Sequence, residues 1–280
     1  MQSAQDFGLN KIFNLSDQVA AITGGGGELC GMMARALAAN GVKTAILDLR
    51  EENAQAVADQ INQAGGQAVA IGCDALNRQS IETAADRIES ELGPVDILIN
   101  GAGGNHPQAT TKPDLPLFDL PPDAIRKVFD INLLGTMICC QVFGKRMADR
   151  GSGNIVNVSS MNAFRPLTRI PAYSAAKASV SNFTQWLAVH MAQEYNPAIR
   201  VNAIAPGFFL TEQNRFLLVD KDSGGMTARG QQILDHTPVG RLGSAEELVG
   251  ALIWLVSPSA AFVTGTIVCI DGGFSAYSGV

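Results

Sequence analysis

Seven short apolar runs alternate with helix-length segments, and this alternation limits the fold more than any other feature of the chain. The runs are 18–23, 43–47, 67–71, 95–99, 154–158, 200–204 and 266–270. Helical patterns occupy 29–40, 51–63, 78–91, 123–150, 172–195 and 245–255. The runs are apolar along their length instead of alternating with polar residues. Strands of that kind are covered on both faces, as in a parallel sheet between helices. The pattern therefore predicts an α/β chain: a single-domain, Rossmann-type, doubly wound parallel sheet flanked by helices on both faces, spanning 1–280. Such sheets bind ligands at the carboxyl ends of their strands. Two irregular segments, 101–122 and 208–237, follow strands and are expected to form the substrate loops.

The first strand runs into Thr23-Gly24-Gly25-Gly26-Gly27 and then a helix. A glycine turn there lets the backbone approach a pyrophosphate, and the helix start offers free N–H groups. A plain tight turn is the alternative reading. Asp48 ends the second strand, twenty-four residues after Gly24. A carboxylate there can accept from a ribose 2′-hydroxyl and repel a 2′-phosphate, which favours NAD over NADP. Asp48 can also cap the helix that begins at Glu51. Asp74 ends the third strand and Asn100-Gly101-Ala102-Gly103 ends the fourth, so four turns line successive strand ends.

Tyr173 and Lys177 stand four apart in a helical segment, on one face. An ammonium beside a phenol favours the phenolate, lowering the tyrosine pKa toward a usable proton acceptor. Ser160 lies thirteen residues before Tyr173, with Ser159 the competing serine. Asn132 falls in the long helix, and Pro206-Gly207 with Thr211 follows the sixth run.

The remaining features exclude other classes. A formal charge of −6 offers no basic face for nucleic acid. No apolar run approaches membrane length, and no leader pattern opens the chain, so a cytoplasmic protein without membrane contact is expected. Five cysteines with no Cys-x-x-Cys pair fit reduced core residues and no metal site.

In their order and spacing, Asn100-Gly101-Ala102-Gly103, Asn132, Ser160, Tyr173/Lys177 and Pro206-Gly207 resemble the classical short-chain dehydrogenase/reductase family from about residue 15 onward. The resemblance implies an NAD-dependent oxidoreductase acting on CH–OH groups, with Asn132, Ser160, Tyr173 and Lys177 as its catalytic residues. Tyr173 would exchange the hydroxyl proton and Ser160 would hydrogen-bond the reacting oxygen. Lys177 would tune Tyr173 and bind the nicotinamide ribose, and Asn132 would anchor a water that links Lys177 to solvent. The expected cofactor-binding set is Gly24, Gly26, Gly27, Glu28, Leu29, Asp48, Asp74, Ala75, Asn100, Gly101, Ala102, Tyr173, Lys177, Pro206, Gly207 and Thr211. The nucleotide loop departs from the family pattern, because Glu28 and Cys30 stand where later glycines belong. The Glu28 carboxylate is expected to face solvent, and Cys30 is small enough for close packing. The family also implies a homotetramer built on the helices after the fourth and fifth strands.

The loops around the expected pocket are rich in Asn, Gln, Arg and His, which suits a polar, hydroxylated substrate better than a steroid or fatty acyl chain. A sugar acid would also need arginine for its carboxylate. The substrate-binding residues expected are Asn105, His106, Ser160, Arg165, Arg169, Tyr173 and Asn214, with Arg215 a further candidate; His106 can equally stabilise its own turn. These segments and the variant loop resemble the D-mannonate oxidoreductase (fructuronate reductase) subgroup. That likeness implies interconversion of D-mannonate and D-fructuronate, with gluconate 5-dehydrogenase or another polyol or sugar-acid dehydrogenase as the rival. A non-catalytic NAD-binding protein is the reading of a different class, and the presence of Tyr173, Lys177 and Ser160 speaks against it.

Overall fold

The computed structural model describes residues 8–221 and 223–279. After a short helix α1 (Leu9–Ile12), the chain alternates strands and helices as the sequence predicts. The first half comprises β1 (Val19–Thr23), α2 (Glu28–Ala39), β2 (Lys43–Asp48), α3 (Glu51–Gln63), β3 (Ala68–Gly72), α4 (Arg78–Glu91) and β4 (Ile97–Asn100). Helices α5 (Pro122–Phe129) and α6 (Gly135–Arg150) follow, then β5 (Gly153–Val158), α7 (Pro171–Glu194) and β6 (Ile199–Pro206). The chain closes with α8 (Glu212–Leu218), α9 (Ala228–Asp235), α10 (Val249–Val256) and β7 (Ile267–Ile270). All seven strands are parallel, in the order β3-β2-β1-β4-β5-β6-β7. The winding reverses between β1 and β4, and a crevice opens at that point.

Successive strand residues point to opposite faces, and the core divides accordingly. Ala20, Ile22, Ile46, Ile97 and Ile99 pack with Met33, Leu37, Val57, Ile61, Leu252 and Leu255 from α2, α3 and α10. Val19, Ala21, Ala45, Leu47 and Leu98 pack with Ile81, Ile88, Phe143, Met147 and Leu187 from α4, α6 and α7. Strands β1, β4 and β6 are thus buried along their whole length because each side is a helix-covered core, whereas the edge strand β7 is only partly covered.

Three elements depart from the sequence reading. The helix expected at 123–150 carries a π-helical turn, Asp130–Leu134, between α5 and α6. As one stretch, Pro122–Arg150 is long and apolar enough to cross a membrane, although no single apolar run showed it; half of its most apolar window is buried within the protein. It serves as a core helix. The segment expected at 245–255 opens as a 3₁₀ turn, Ala245–Leu248, before α10. The loop 208–237 holds two short helices, α8 and α9, whose periodicity is too brief to read in sequence.

Candidate active site

The β1–α2 turn sits at the reversal point, and its glycines are there for space. Gly24 has φ +63°, and a Cβ on it would lie 2.9 Å from the Ala102 nitrogen. A Cβ on Gly26 would reach 2.9 Å from an Asp48 oxygen and closer still to Asn53. Asp48 accepts from the Gly26 N–H at 3.2 Å with one oxygen and from the Arg50 N–H at 3.1 Å with the other. It ties the second strand to the turn; the N-cap position of α3 belongs to Arg50 instead. Thr23 closes the other side, its hydroxyl accepting from the N–H groups of Gly101 (3.1 Å) and Ala102 (3.2 Å).

This architecture fits a dinucleotide. The N-cap residue of α2, Gly27, supplies no side-chain cap. A Cβ on it would meet only the Gly24 carbonyl, at 3.2 Å, and otherwise enter open space. The helix therefore presents its first amides to a concave cradle, the arrangement that suits a pyrophosphate. Glu28 is exposed, as expected, and its carboxylate accepts from the Glu212 N–H at 3.0 Å, at the start of α8. Leu29 is half-buried against the core. Cys30 is buried and packs so tightly on Gly101 that a Cβ there would overlap its sulfur. Burial pushes the Cys30 thiol up to about 12.

Other members of the expected cofactor set line the same strand ends with different duties. Asp74 turns one oxygen to the Leu76 N–H at 2.9 Å, and Ala75 is buried near Gly135. The Asn100 side chain points into the core. Its amide donates to Asn157 at 2.8 Å, and Asn157 donates to Thr184 at 2.9 Å. The Asn100 side chain is thus a floor beneath the site, joining β4, β5 and α7. Sequence reading missed Asn157 and Thr184; the register that places Asn157 beside Asn100 was not available from spacing. Gly207 follows Pro206 and donates to the Ile270 carbonyl at 2.9 Å; a Cβ there would press on Asp271 at 2.6 Å. Thr211 is the N-cap of α8 in a capping box with Asn214.

The chemical cluster forms above that floor. Ser159 is consumed structurally: its hydroxyl bonds Ser181 at 2.7 Å and the Lys177 carbonyl at 3.1 Å. Ser160 is the serine whose side chain acts on the Tyr173 phenol, opposing the effect of its burial. It also accepts from the Asn162 N–H at 3.3 Å, which fixes its rotamer. The Lys177 ammonium donates to the Val158 carbonyl at 2.7 Å and lies 5.7 Å from the centroid of the Tyr173 ring. Here the structure differs from the expected electrostatics. Burial pushes the Tyr173 phenol up, and the counter-influence is Ser160, not Lys177. Lys177 is itself held down, at about 8, by desolvation.

Asn132 lies in the π-helical turn and is fully buried. Its amide donates to the Gly104 and Val128 carbonyls, both at 2.7 Å, and its oxygen accepts from the Gly104 N–H at 3.1 Å. Both amide hydrogens are spent on the backbone, so the side chain clamps the loop after β4, and its oxygen, which accepts one N–H, keeps a second lone pair. A Cβ on Gly103 would fall 2.6 Å from the Asn132 oxygen and 3.2 Å from the Lys177 ammonium. Only glycine lets the loop pass so close to both.

The expected substrate residues divide. His106 stabilises its own turn, Nδ1 accepting from the Gln108 N–H at 3.2 Å. Asn105 donates to Thr110 at 2.8 Å. Asn214 is engaged twice with backbone, accepting from the Thr211 N–H at 2.9 Å and donating to the Phe209 carbonyl at 2.7 Å. Arg165 is exposed, and Arg215 pairs on the surface with Glu212 at 3.1 Å. Arg169 is exposed in the segment between Ser160 and Tyr173.

Residues 18–221 match the sequence profile of the short chain dehydrogenase family. The chain belongs to that family: it is an oxidoreductase that acts on alcohol groups and binds a nucleotide cofactor. It is 49% identical over 276 residues to the uncharacterized oxidoreductase UxuB of Bacillus subtilis (strain 168), covering 95% of this chain and 98% of that one. A solved structure from Haemophilus influenza, named for D-mannonate oxidoreductase and holding NAD, is 48% identical with a TM-score of 0.89, over 95% of this chain and 98% of that one. A gluconate 5-dehydrogenase from Burkholderia cenocepacia J2315, in complex with NADP and tartrate, is 31% identical with a TM-score of 0.85, over 95% and 98% respectively.

Proposed function

We propose that this enzyme interconverts the alcohol and ketone forms of a sugar acid with NAD, and that the pair is D-mannonate and D-fructuronate. The observation that carries the chemistry is the Ser160–Tyr173–Lys177 cluster beside the open cradle at the α2 start. When bound, the nicotinamide supplies the hydride acceptor or donor. The chain's own residues handle the oxygen and its proton. In the oxidative direction the Tyr173 oxygen takes the hydroxyl proton; in reduction it returns it. Ser160 donates to the same oxygen and stabilises its developing charge. Burial of the phenol works against its ionisation and Ser160 opposes that effect; Lys177, 5.7 Å from the ring centroid, is placed to bind the nicotinamide ribose.

Asp48 supports NAD. Its carboxylate steadies the turn at Gly26, and a negative charge there would repel a 2′-phosphate brought to that turn. Arg50, the nearby cation, lies against Asn53, whose carboxamide, turned so that its oxygen faces the guanidinium, accepts from it at 3.0 and 3.1 Å. The substrate choice is supported by the 48% likeness to the NAD-holding Haemophilus structure, against 31% for the gluconate 5-dehydrogenase. Purified protein should reduce NAD with D-mannonate faster than with D-gluconate or neutral polyols, and faster than NADP with any of them. Tyr173→Phe should lower kcat by at least about a hundredfold with cofactor affinity retained. A near-normal rate in that variant removes the proton role, and a preference for D-gluconate removes the substrate assignment.

We further propose a homotetramer formed through α6 and α7. An aromatic ladder along α7 supports it: Phe183 stacks on Trp186 and Trp186 on His190, whose ring meets Tyr195 edge-on. Trp186 is 56% exposed, an apolar area that a partner helix would cover.

A further inference from the structure

Helix α9 carries an arginine that neither the spacing of motifs nor the resemblance singled out. Arg229 stands in its first turn, half-buried. Among the described residues no carboxylate or carbonyl bonds it, and the charge that acts on it is another guanidinium, that of Arg169. A cation drawn partly out of water ordinarily has an acid partner. Here burial and a like charge both disfavour it.

The packing sets α9 against the segment that follows Ser160. Arg229 lies one helical turn before Ile233, on the same face. Ile233 is buried in one apolar cluster with Met161, Leu218 and Phe274, and Leu167 packs against that cluster. Met161 follows the Ser160 hydroxyl in sequence, and the segment through Leu167 and Arg169 leads into Tyr173. Arg169 is pinned there. Its φ is +75°, a conformation that non-glycine residues seldom adopt, and its carbonyl accepts from the Thr111 N–H at 2.8 Å, from the loop after β4. The two arginines are thus carried by segments that pack together in one cluster, α9 and the β5–α7 segment. Arg215, by contrast, already holds Glu212.

We infer that Arg229, together with Arg169, grips the substrate carboxylate and makes the site select acids over neutral polyols. One carboxylate between two guanidinium groups answers the unmet donors of both and removes their mutual repulsion. The inference rests on the sugar-acid reading above and deepens it by naming the group that reads the acid. The remaining hydroxyls are left to the polar loops, so acid selection and sugar identity are set by separate residues.

The test compares an acid with its neutral counterpart. Kinetics are measured with NAD on D-mannonate against D-mannitol, and on D-gluconate against D-sorbitol, for wild type, Arg229→Met and Arg229→Lys. The expected result is a loss in kcat/KM of about 30- to 150-fold on the acid, mainly through KM, with the neutral polyol unchanged. Arg229→Lys should recover part of the loss, because it restores the charge without the paired donors. The melting temperature of Arg229→Met should equal or exceed that of wild type, since an unmatched charge is removed; a purely structural arginine would lower it. Equal losses on acid and polyol, or an acid rate unaffected by Arg229→Met, overturn the assignment of Arg229. If wild type itself shows no preference for either acid, the sugar-acid reading falls and the carboxylate grip falls with it. If wild type prefers an acid and the variant keeps that preference, only the arginine assignment falls.

Discussion

Lys177 holds its charge where water scarcely reaches, and it donates to the Val158 carbonyl at 2.7 Å. Burial brings its pKa from an ordinary 10.5 to about 8. The sign of the consequence follows from proton counting. Between about pH 8 and 10.5 the unfolded chain keeps the Lys177 proton while the folded protein releases it. Stability from this group therefore rises with pH across that window, and the cost of the buried charge is borne in full below pH 8. Removing the group should remove the slope. Thermal melts of wild type and Lys177→Met from pH 7 to 10 should show wild type gaining on the variant as pH rises; parallel curves would mean that Lys177 titrates normally. The same residue explains why Gly103 is glycine, since a Cβ there would crowd the ammonium at 3.2 Å and the Asn132 oxygen at 2.6 Å.

Among the elements, α2 and α8 are joined by an unusual link, the Glu28 carboxylate on the Glu212 N–H at 3.0 Å. The nucleotide loop thereby reaches the first turn of a helix in the segment 208–237. A single such hydrogen bond contributes about 1 kcal/mol. Glu28→Ala should thus speed amide exchange in 212–218 about fivefold, whereas Glu28→Gln, which keeps an acceptor, should stay near wild type. Unchanged exchange in the alanine variant would show that the link carries no weight. This connection also marks the limit of what the sequence disclosed. The strands, the long helices and the Ser160, Tyr173 and Lys177 cluster were legible because burial on both faces, helical phase and fixed spacing each leave a local imprint. Glu28 was read as solvent-facing, which holds, but its partner lies 184 residues away. The duties of Asn132, Asn214 and His106, all turned toward backbone, depend on rotamers that composition does not encode. Arg229 is not distinguished in sequence because a lone arginine in a short helix looks like any surface residue; what sets it apart is that no carboxylate among the described residues pairs with it.

For the whole molecule, the ladder of Phe183, Trp186, His190 and Tyr195 puts the assembly within reach of experiment. Trp186→Glu would set a carboxylate into the proposed helix contact. Light scattering should then report a species of half the wild-type mass or less; an unchanged mass would relocate the interface. The molecule is also divided in depth. Asn100, Asn157 and Thr184 form a chain of polar groups sealed under the strand ends. The groups proposed to meet the substrate are carried on the loops that follow the strands, several of them held by contacts with nearby backbone. Exchanging a loop residue should therefore alter which compound is accepted without disturbing the foundation on which the phenol and the serine stand. A scaffold so layered can acquire a new substrate through few changes, each confined to the rim, while its rate-giving parts remain in register.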